Sequence, residues 1–348
     1  MAFELPANPQ AARRARIGRW VSTALAVLLA LTVGYLVLVG YLGSGQAVLV
    51  SDRSTSCQTP KSAYGWSYEA VNYPEAEDQA IANLPDGAPC PSRTATEGTA
   101  IVSPDGTRIA AWYIPGPAAL GHSGPTVVIA HDHGANKSDM LPWARVLHDT
   151  YNLVLFDFRA HGQSSGESST VGARERSDLA AVIAWVEAAK APTHLAVLGL
   201  AMGGAAAAGE AASDPRVDAL ILDSTYATLA NSLEARLSHD GYQLALPGAW
   251  AIMLGGLIRT GEDMSSADPV QALESYGRRP LLIISAGRDG AVGSGDAESL
   301  RAAAAAGGAS VDLKVCAEAE HAMSISTCSA DYPGWLLAFL ARAIPAAH

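Results

Sequence analysis

Residues 195–204, which read LAVLGLAMGG, decide the fold of this chain. An apolar run enters a tight turn flanked by Gly199 and Gly203, and a run of small residues follows over Ala205–Ala212. This order predicts a buried strand, a sharp turn and a helix. The residue at the tip of the turn is Ala201, whose side chain is a methyl group without any hydrogen-bonding or nucleophilic atom.

Apolar runs and amphipathic segments alternate on both sides of this turn. Further strands are predicted over Thr126–Ala130, Asn152–Phe158, Val217–Asp223, Pro280–Ala286 and Val311–Cys316. Helices are predicted over 138–149, 173–190, 268–276, 295–306 and 333–344. The alternation indicates an α/β fold, with a mostly parallel sheet that is covered by helices on both faces. Upstream, Ala100–Ser103 and Thr107–Ile114 predict a hairpin about the Pro104-Asp105-Gly106 turn.

Several motifs, in order, resemble those of the α/β-hydrolase family, from about Glu97 to the C-terminus. The turn at 199–203 matches the nucleophile elbow G-x-S-x-G, except that Ala201 stands at the serine position. The family's H-G-x-G loop corresponds to 131–134, which reads HDHG, and its D-x-R-G-H-G-x-S loop corresponds to 157–164, which reads DFRAHGQS. The resemblance implies the α/β-hydrolase fold and a serine esterase-like or aminopeptidase-like lineage.

The resemblance also implies a set of catalytic positions. A hydroxyl at position 201 would be activated by the imidazole of His321, and a carboxylate, Asp289, would orient that imidazole. Asp289 matches the family's acid loosely, and Asp296 is close by in the sequence as an alternative. The backbone N–H groups of Met202 and His133 would bind the oxyanion that forms in acyl transfer.

Three residues depart from the family pattern. Ala201 removes the nucleophile, Asp132 replaces a glycine beside the oxyanion site, and Ala160 replaces a glycine in the D-x-R-G-H-G turn. A carboxylate at 132 would oppose a developing negative charge. The sequence therefore predicts a catalytically impaired protein that retains a ligand-binding pocket. The alternatives are a serine hydrolase whose parent carries serine at 201, and a purely structural module.

Residues around these motifs offer two other kinds of chemistry. Ser164 and Ser165 follow the fourth strand and could in principle replace the missing hydroxyl. The H-x-H pattern at 131–133, with Asp132 or Asp157 as oxygen ligands, could form part of a metal site. An H-x-H pair alone is a weak signal, and the sequence favours neither a metal nor a cofactor.

The N-terminal region predicts a membrane anchor. Residues 20–42 are uncharged and long enough to span a bilayer, and a basic tail over 1–19 precedes them. By the positive-inside rule the N-terminus is cytoplasmic, so a single-pass protein of the cell membrane with an extracytoplasmic main domain is expected. The alternative is a signal peptide cleaved within Gly43–Ala47. Residues 43–98 are interpreted as an irregular stalk, and 99–348 as the hydrolase domain.

The segment 226–266 interrupts the strand–helix alternation and resembles the family's cap over the substrate pocket. It contains two helical stretches, near Thr228–Ser238 and Pro247–Arg259. The second is very apolar and is expected to pack on the core, with a membrane-facing or acyl-binding role as the alternative. The pocket beneath such a cap would bind a small acyl, ester or peptide-like ligand.

The charge and the cysteines add two further expectations. The net charge of −11 argues against a nucleic-acid partner, because phosphate binding requires a basic surface.

The four cysteines all follow the apolar segment, where an oxidising compartment permits disulfides. Proximity favours the pairs Cys57–Cys90 and Cys316–Cys328, although other pairings and free thiols remain open.

Overall fold

A computed structural model describes residues 9–50, 58–82, 96–293 and 295–345 of the chain. Its central element is an eight-stranded sheet with the strand order β1-β2-β4-β3-β5-β6-β7-β8. The strands are β1 (Glu69–Val71), β2 (Ala111–Ile114), β3 (Thr126–Ala130), β4 (Asn152–Phe156), β5 (Leu195–Leu200), β6 (Ala219–Asp223), β7 (Pro280–Ala286) and β8 (Ser310–Cys316). The pairs β1–β2 and β2–β4 are antiparallel, and the remaining pairs are parallel.

Helices cover both faces of this sheet. They are α1 (Pro9–Val48), α2 (Pro60–Tyr64), α3 (Glu75–Ala82), α4 (Leu141–Leu147), α5 (Glu175–Lys190), α6 (Met202–Ser213), α7 (Leu229–His239), α8 (Ala245–Thr260), α9 (Pro269–Leu273), α10 (Asp296–Ala306), α11 (Ser324–Thr327) and α12 (Tyr332–Ala343). Short 3₁₀ turns lie at Ala118–Leu120, Lys137–Met140 and Met264–Ser266. Successive strand residues such as Val128 and Ile129 enter separate apolar clusters on the two faces. This two-sided burial explains why β3 to β6 read as continuous apolar runs.

The α/β architecture predicted from the alternation is confirmed, and the parallel strands differ from their predicted bounds by no more than two residues. The predicted hairpin is reduced to one bridge, between Val102 and Arg108, and β2 begins only at Ala111. Two backbone bonds remain between its arms, from the N–H of Ser103 to the carbonyl of Thr107 and from the N–H of Ile109 to the carbonyl of Ile101. On the other edge of the second arm, the N–H groups of Arg108 and Ala110 donate to the hydroxyls of Ser165 and Ser164.

The interpretation of 43–98 as an irregular stalk is wrong for its described central part. β1 forms the edge of the main sheet, and α2 and α3 flank it. The buried carboxylate of Asp78 accepts hydrogen bonds from Tyr68 (3.1 Å), Tyr73 (2.6 Å) and the indole of Trp112 (2.9 Å). These bonds fix the segment to β2, so the folded domain begins well before the predicted boundary at residue 99.

The cysteines of the described region form one disulfide. Cys316 at the end of β8 is bonded to Cys328 after α11, which confirms the second predicted pair. The other predicted pair, Cys57–Cys90, lies outside the described residues.

The first helix, α1, is longer than the predicted membrane segment. Over Arg16–Val48 it is long and apolar enough to cross a membrane, which includes all of the predicted span 20–42. The helix continues without a break to Val48, and its C-terminal half packs along α8.

The prediction that the second cap helix packs on the core is wrong in part. The cap lies between β6 and β7 as expected, and α8 buries Ala249, Ile252 and Met253. However, α8 makes its main contacts with α1 and α7, and it leaves Trp250 and Ile258 exposed. The reason is that the long α1 reaches the cap and occupies one side of α8.

Candidate active site

The turn after β5 has the geometry of a nucleophile elbow. Ala201 adopts φ 44° and ψ −106° between the strand and α6, an unusual conformation for a residue other than glycine. The two glycines of the pattern are required by close packing. A Cβ on Gly199 would lie 2.5 Å from the carbonyl oxygen of Gly203, and a Cβ on Gly203 would lie 2.4 Å from that of Ala130. The strand and the helix therefore approach each other more closely than any side chain permits.

The two N–H groups implied as oxyanion donors converge on a single oxygen atom, and that oxygen belongs to Asp132. The N–H of His133 donates to Oδ1 at 2.6 Å, and the N–H of Met202 donates to the same atom at 3.2 Å. Two backbone donors at these distances are the arrangement that binds an oxyanion. Here the side chain of Asp132 already fills it.

His321 lies between two carboxylates. Its Nδ1 donates to Oδ2 of Asp289 at 2.8 Å, and its Nε2 donates to Oδ2 of Asp132 at 3.2 Å. The other oxygen of Asp289 accepts from the N–H groups of Ala291 and Val292, which fixes the carboxylate. The alternative acid, Asp296, instead accepts from the N–H of Gly293 in its own loop. The structure thus brings Asp289, and not Asp296, to the imidazole.

The two carboxylates hold the imidazole in its charged form. Burial alone would lower the pKa of His321, but hydrogen bonds and charge attraction from Asp132 and Asp289 outweigh it and raise the pKa to about 10. Burial alone would likewise raise the pKa of Asp132. Its bonds to His321 and to the two backbone N–H groups outweigh this effect and lower the pKa to about 2. The site therefore contains an imidazolium ion between two carboxylates at neutral pH.

The hydrogen bond at Nε2 of His321 differs from the one that acyl transfer requires. In acyl transfer the Nε2 atom must be free to take a proton from the nucleophile. That nitrogen is protonated and bound to Asp132, and Ala201 offers no hydroxyl. Oδ1 of Asp132 thus occupies the oxyanion position. Its Oδ2 occupies the place beside Nε2 of His321 that a hydroxyl nucleophile would take.

Ser164 and Ser165, the possible substitutes for the missing hydroxyl, form hydrogen bonds that hold the surrounding backbone in place. The hydroxyl of Ser164 donates to the carbonyl of Asp157 at 2.5 Å and accepts from the N–H of Ala110, and the hydroxyl of Ser165 accepts from the N–H of Arg108. The carboxylate of Asp157 forms a buried ion pair with Lys137, with Nζ at 2.5 Å. Neither serine is directed towards His321 by these bonds.

The H-x-H pair does not converge on one point. His131 accepts from the N–H of Phe158 through Nε2 and donates to the carbonyl of Asp132 through Nδ1, so the backbone uses both ring nitrogens. The ring of His133 donates through Nε2 to the carbonyl of Ala47 at 2.9 Å. Within the described ranges, no group of three or more His, Cys, Asp or Glu residues is placed to hold a metal ion.

A buried network beneath the site was missed from the sequence. The carboxylate of Asp223, at the end of β6, accepts from Tyr332 at 2.6 Å and from Ser224 at 3.1 Å, while Trp143 donates to Tyr332 at 2.8 Å. Burial raises the pKa of Asp223 to about 6. The hydroxyl of Ser224 also accepts from the N–H of Ala322, directly after the catalytic-position histidine. The signal was present, because polar residues at the carboxyl ends of parallel strands lie at one edge of the sheet.

The end of α1 is a second feature that the sequence did not reveal. The carbonyl of Ala47 accepts the ring proton of His133, and the carbonyl of Val48 accepts from the N–H of Ser169. Val48 is buried against Tyr226 and Leu229. The predicted membrane helix therefore ends in contact with the loop at residues 131–134, which we call the oxyanion loop.

Comparison with known proteins supports the fold. A family model described as the alpha/beta hydrolase fold matches residues 122–291. The esterase Pf2001 of Pyrococcus furiosus superposes with a TM-score of 0.62 at 22% identity, covering 84% of this chain and 98% of that one. The chain is an α/β-hydrolase-fold protein.

Curated relatives of this α/β-hydrolase-fold protein share part of its length. The uncharacterized protein YfhR of Escherichia coli K12 is 29% identical over 160 residues, which are 44% of this chain and 56% of YfhR. Protein bem46 of Schizosaccharomyces pombe is 30% identical over 122 residues, which are 34% of this chain and 41% of bem46. The chain thus spans little more than half the length of the first of these relatives.

Proposed function

We propose that this protein is a membrane-anchored α/β-hydrolase-fold protein of serine-hydrolase lineage that does not carry out serine acyl transfer. In this proposal α1 anchors it in the cell membrane with the N-terminus in the cytoplasm. The main domain lies outside the cytoplasm, and its capped site binds a small acyl, ester or peptide-like ligand. The observation that supports the loss of catalysis is the position of the Asp132 carboxylate.

The chemical argument rests on one side chain with two effects. Oδ1 of Asp132 takes the N–H groups of Met202 and His133, so a substrate carbonyl would have to displace a charged oxygen to reach them. Oδ2 holds the proton of His321. Restoring the serine alone would therefore add a nucleophile without an available base or oxyanion site.

Fluorophosphonate labelling and hydrolysis of short p-nitrophenyl esters test this proposal. We expect no labelling of the unaltered protein, none of Ala201→Ser, and labelling only of the double variant Ala201→Ser, Asp132→Gly. The triple variant that also carries His321→Gln is the control, and it should lose the regained labelling. Labelling of Ala201→Ser alone would instead favour a serine hydrolase whose parent carries serine at 201. Saturable ester turnover by the unaltered chain would overturn the proposal.

A second candidate function is favoured by the same carboxylate. Asp132 has one oxygen bound by two N–H donors and the other beside His321, which suits a carboxylate nucleophile towards an alkyl electrophile. Oδ2 would form a bond to the alkyl carbon while the leaving group departs with its electron pair. The resulting ester removes the negative charge of Asp132, so His321 loses a proton and becomes a base. Water activated by His321 would then attack Cγ, with the oxyanion on Oδ1, and release the alcohol.

This candidate is tested separately with bromohexane and with hexene oxide. The intermediate predicts an alkyl group on the Asp132 peptide, accumulating in His321→Gln and absent from Asp132→Asn. Turnover in heavy-oxygen water should place the isotope in the Asp132 carboxylate. If mass spectrometry finds neither the adduct nor the isotope, the carboxylate is not a nucleophile, and the binding proposal stands unaffected.

A further inference from the structure

We propose that the exposed face of α8 lies in the lipid bilayer beside α1, so that the cap of the site is itself a membrane-embedded element. We call this surface the cap face and define it by Leu246, Trp250, Leu254, Leu257 and Ile258. The inference rests on the proposed function in one respect, namely that α1 crosses a membrane.

The cap face is large, apolar and exposed. Trp250 is 55% exposed, Leu254 57% and Ile258 77%. The opposite side of the 16-residue helix is also apolar and is buried within the cap. From Gly241 to Ile258 the sequence has no charged residue. A helix that is apolar on all sides is typical of a buried or membrane environment, yet the cap face of this one is exposed in the described chain.

The contact between α1 and α8 is of the kind that membrane helices make. Small residues meet at the crossing. A Cβ on Gly40 would lie 2.7 Å from the carbonyl oxygen of Ala251, and a Cβ on Gly255 would lie 2.6 Å from the hydroxyl of Ser44. Small residues let two backbones approach closely where no hydrophobic effect drives the helices together.

The register of the two helices sets the depth of α8. They run in parallel, because Tyr35 donates to the carbonyl of Gln243 at the start of α8, while Ser44 accepts from Arg259 at its end. Tyr35 lies inside the uncharged segment 20–42. If that segment is in the bilayer, the first turns of α8 must be at the same depth.

Arg259 marks the level at which the pair leaves the bilayer. Its guanidinium lies 4.7 Å from the ring centre of Tyr41 and donates to the Tyr41 carbonyl and the Ser44 hydroxyl. Tyrosine and arginine are the residues that occupy the membrane–water interface.

Lipid is favoured over a protein partner as the occupant of the cap face. The reason is that the cap face continues the exposed apolar side of α1, which lipid would cover if α1 spans a membrane. On α1, Val37 is 64% exposed, Leu38 56% and Tyr41 65%, alongside the exposed residues of α8. The two helices thus present one apolar surface, and the bilayer that covers the first part would cover the second.

Site-specific photo-cross-linking in the full chain tests this inference. Benzoylphenylalanine is placed at Leu254 on the cap face and at Val315 on β8, two apolar positions that are both 57% exposed. In proteoliposomes of phosphatidylethanolamine and phosphatidylglycerol we expect lipid adducts at 254 and none at 315. The absence of a lipid adduct at 254, or an adduct there with a second copy or another protein, would overturn the inference.

A third position separates this inference from the proposed function. Leu31 lies on α1 and is 67% exposed. Lipid adducts at 31 without adducts at 254 would keep the anchor and reject the embedded cap. The absence of adducts at 31 would reject the anchor itself.

A second measurement avoids any dependence on the cross-linking variants. Brominated lipids quench tryptophan fluorescence on contact, so Trp250→Phe should remove part of the quenching, while Trp185→Phe on α5 should remove none. If quenching is equal in Trp250→Phe and the unaltered protein, Trp250 is not in contact with lipid and the inference fails.

Discussion

At the scale of single residues, Asp132 determines which hydrogen-bonding groups of the site are already occupied. A glycine at this position would leave the N–H groups of His133 and Met202 free for a ligand, whereas the aspartate satisfies both and adds an ion pair with His321. The motif order predicted which residues meet here, because the chain order of elbow, acid and histidine follows from the fold. It did not predict that the carboxylate turns into the oxyanion position, since a side-chain rotamer depends on the surrounding donors.

The pH dependence of stability tests this ion pair. The interactions that raise the pKa of His321 add to the free energy of unfolding. Their contribution is complete below about pH 6.5 and is lost as the pH rises towards 10. The lowered pKa of Asp132 contributes stability that is present above about pH 4 and is lost as the pH falls towards 2. We therefore expect Asp132→Asn to lower the free energy of unfolding most between about pH 4 and 6.5, by about 2 kcal/mol. The difference should shrink towards pH 10.

Denaturant unfolding across this pH range, with imidazole NMR of His321, provides the measurement. The imidazole should titrate near pH 10 in the unaltered protein and well below that value in Asp132→Asn. Asp240→Asn, which removes an exposed partner of Arg236, is the control and should show no such pH dependence. A His321 imidazole that titrates near 6.5 in both proteins would contradict the ion pair.

At the scale of elements, the edge strand β1 shows where sequence patterns stop being informative. The parallel strands β3 to β6 were predictable because burial on both faces requires unbroken apolar runs. β1 has only three residues, of which Val71 alone is buried, so it carries no periodic signal. Its position depends on the polar contacts of Asp78, which join side chains that are distant in the sequence.

Replacement of Asp78 tests how this element is held. Asp78→Ala leaves the hydroxyls of Tyr68 and Tyr73 and the indole of Trp112 without their buried acceptor. We expect a loss of about 3 kcal/mol in the free energy of unfolding, together with faster hydrogen exchange of the β1 amides. Asp78→Asn keeps one acceptor oxygen and should lose less.

The matched control lies on β1 itself. The exposed carboxylate of Glu69 pairs with Lys190, whose ammonium also lies over the rings of Tyr113 and Trp185 and keeps those contacts when Glu69 is removed. Glu69→Ala should therefore cost no more than about 1 kcal/mol. If Asp78→Ala and Glu69→Ala are equally mild in denaturant unfolding, the carboxylate does not fix the strand.

At the scale of the whole molecule, α1, the cap and the site form one connected unit. α1 packs on α8 through Gly40 and Ser44, and it ends at Ala47 and Val48 in contact with the oxyanion loop and the cap. The sequence predicted the anchor and the cap separately, each from its composition. The contact between these two elements could not be predicted, because the glycines that permit it have no side chain and add nothing to a periodic pattern of hydrophobic residues.

Enlarging a glycine at this crossing tests the connection. A side chain on Gly255 would lie 2.6 Å from the Ser44 hydroxyl and 2.7 Å from the Gly40 carbonyl, so the helices must separate. We expect Gly255→Val to destabilise the detergent-solubilised protein by about 1–3 kcal/mol, seen as a lower Tm, because an overpacked contact forces backbone shifts. Gly34→Val places the same side chain on α1 where nothing lies within 4 Å, so it controls for the change in helix propensity.

Since α1 also touches His133, Gly255→Val should broaden or shift the imidazole NMR signal of that residue, whereas Gly34→Val should leave it in place. Equal melting and an unchanged His133 signal in both variants would mean that α1 and the site are independent.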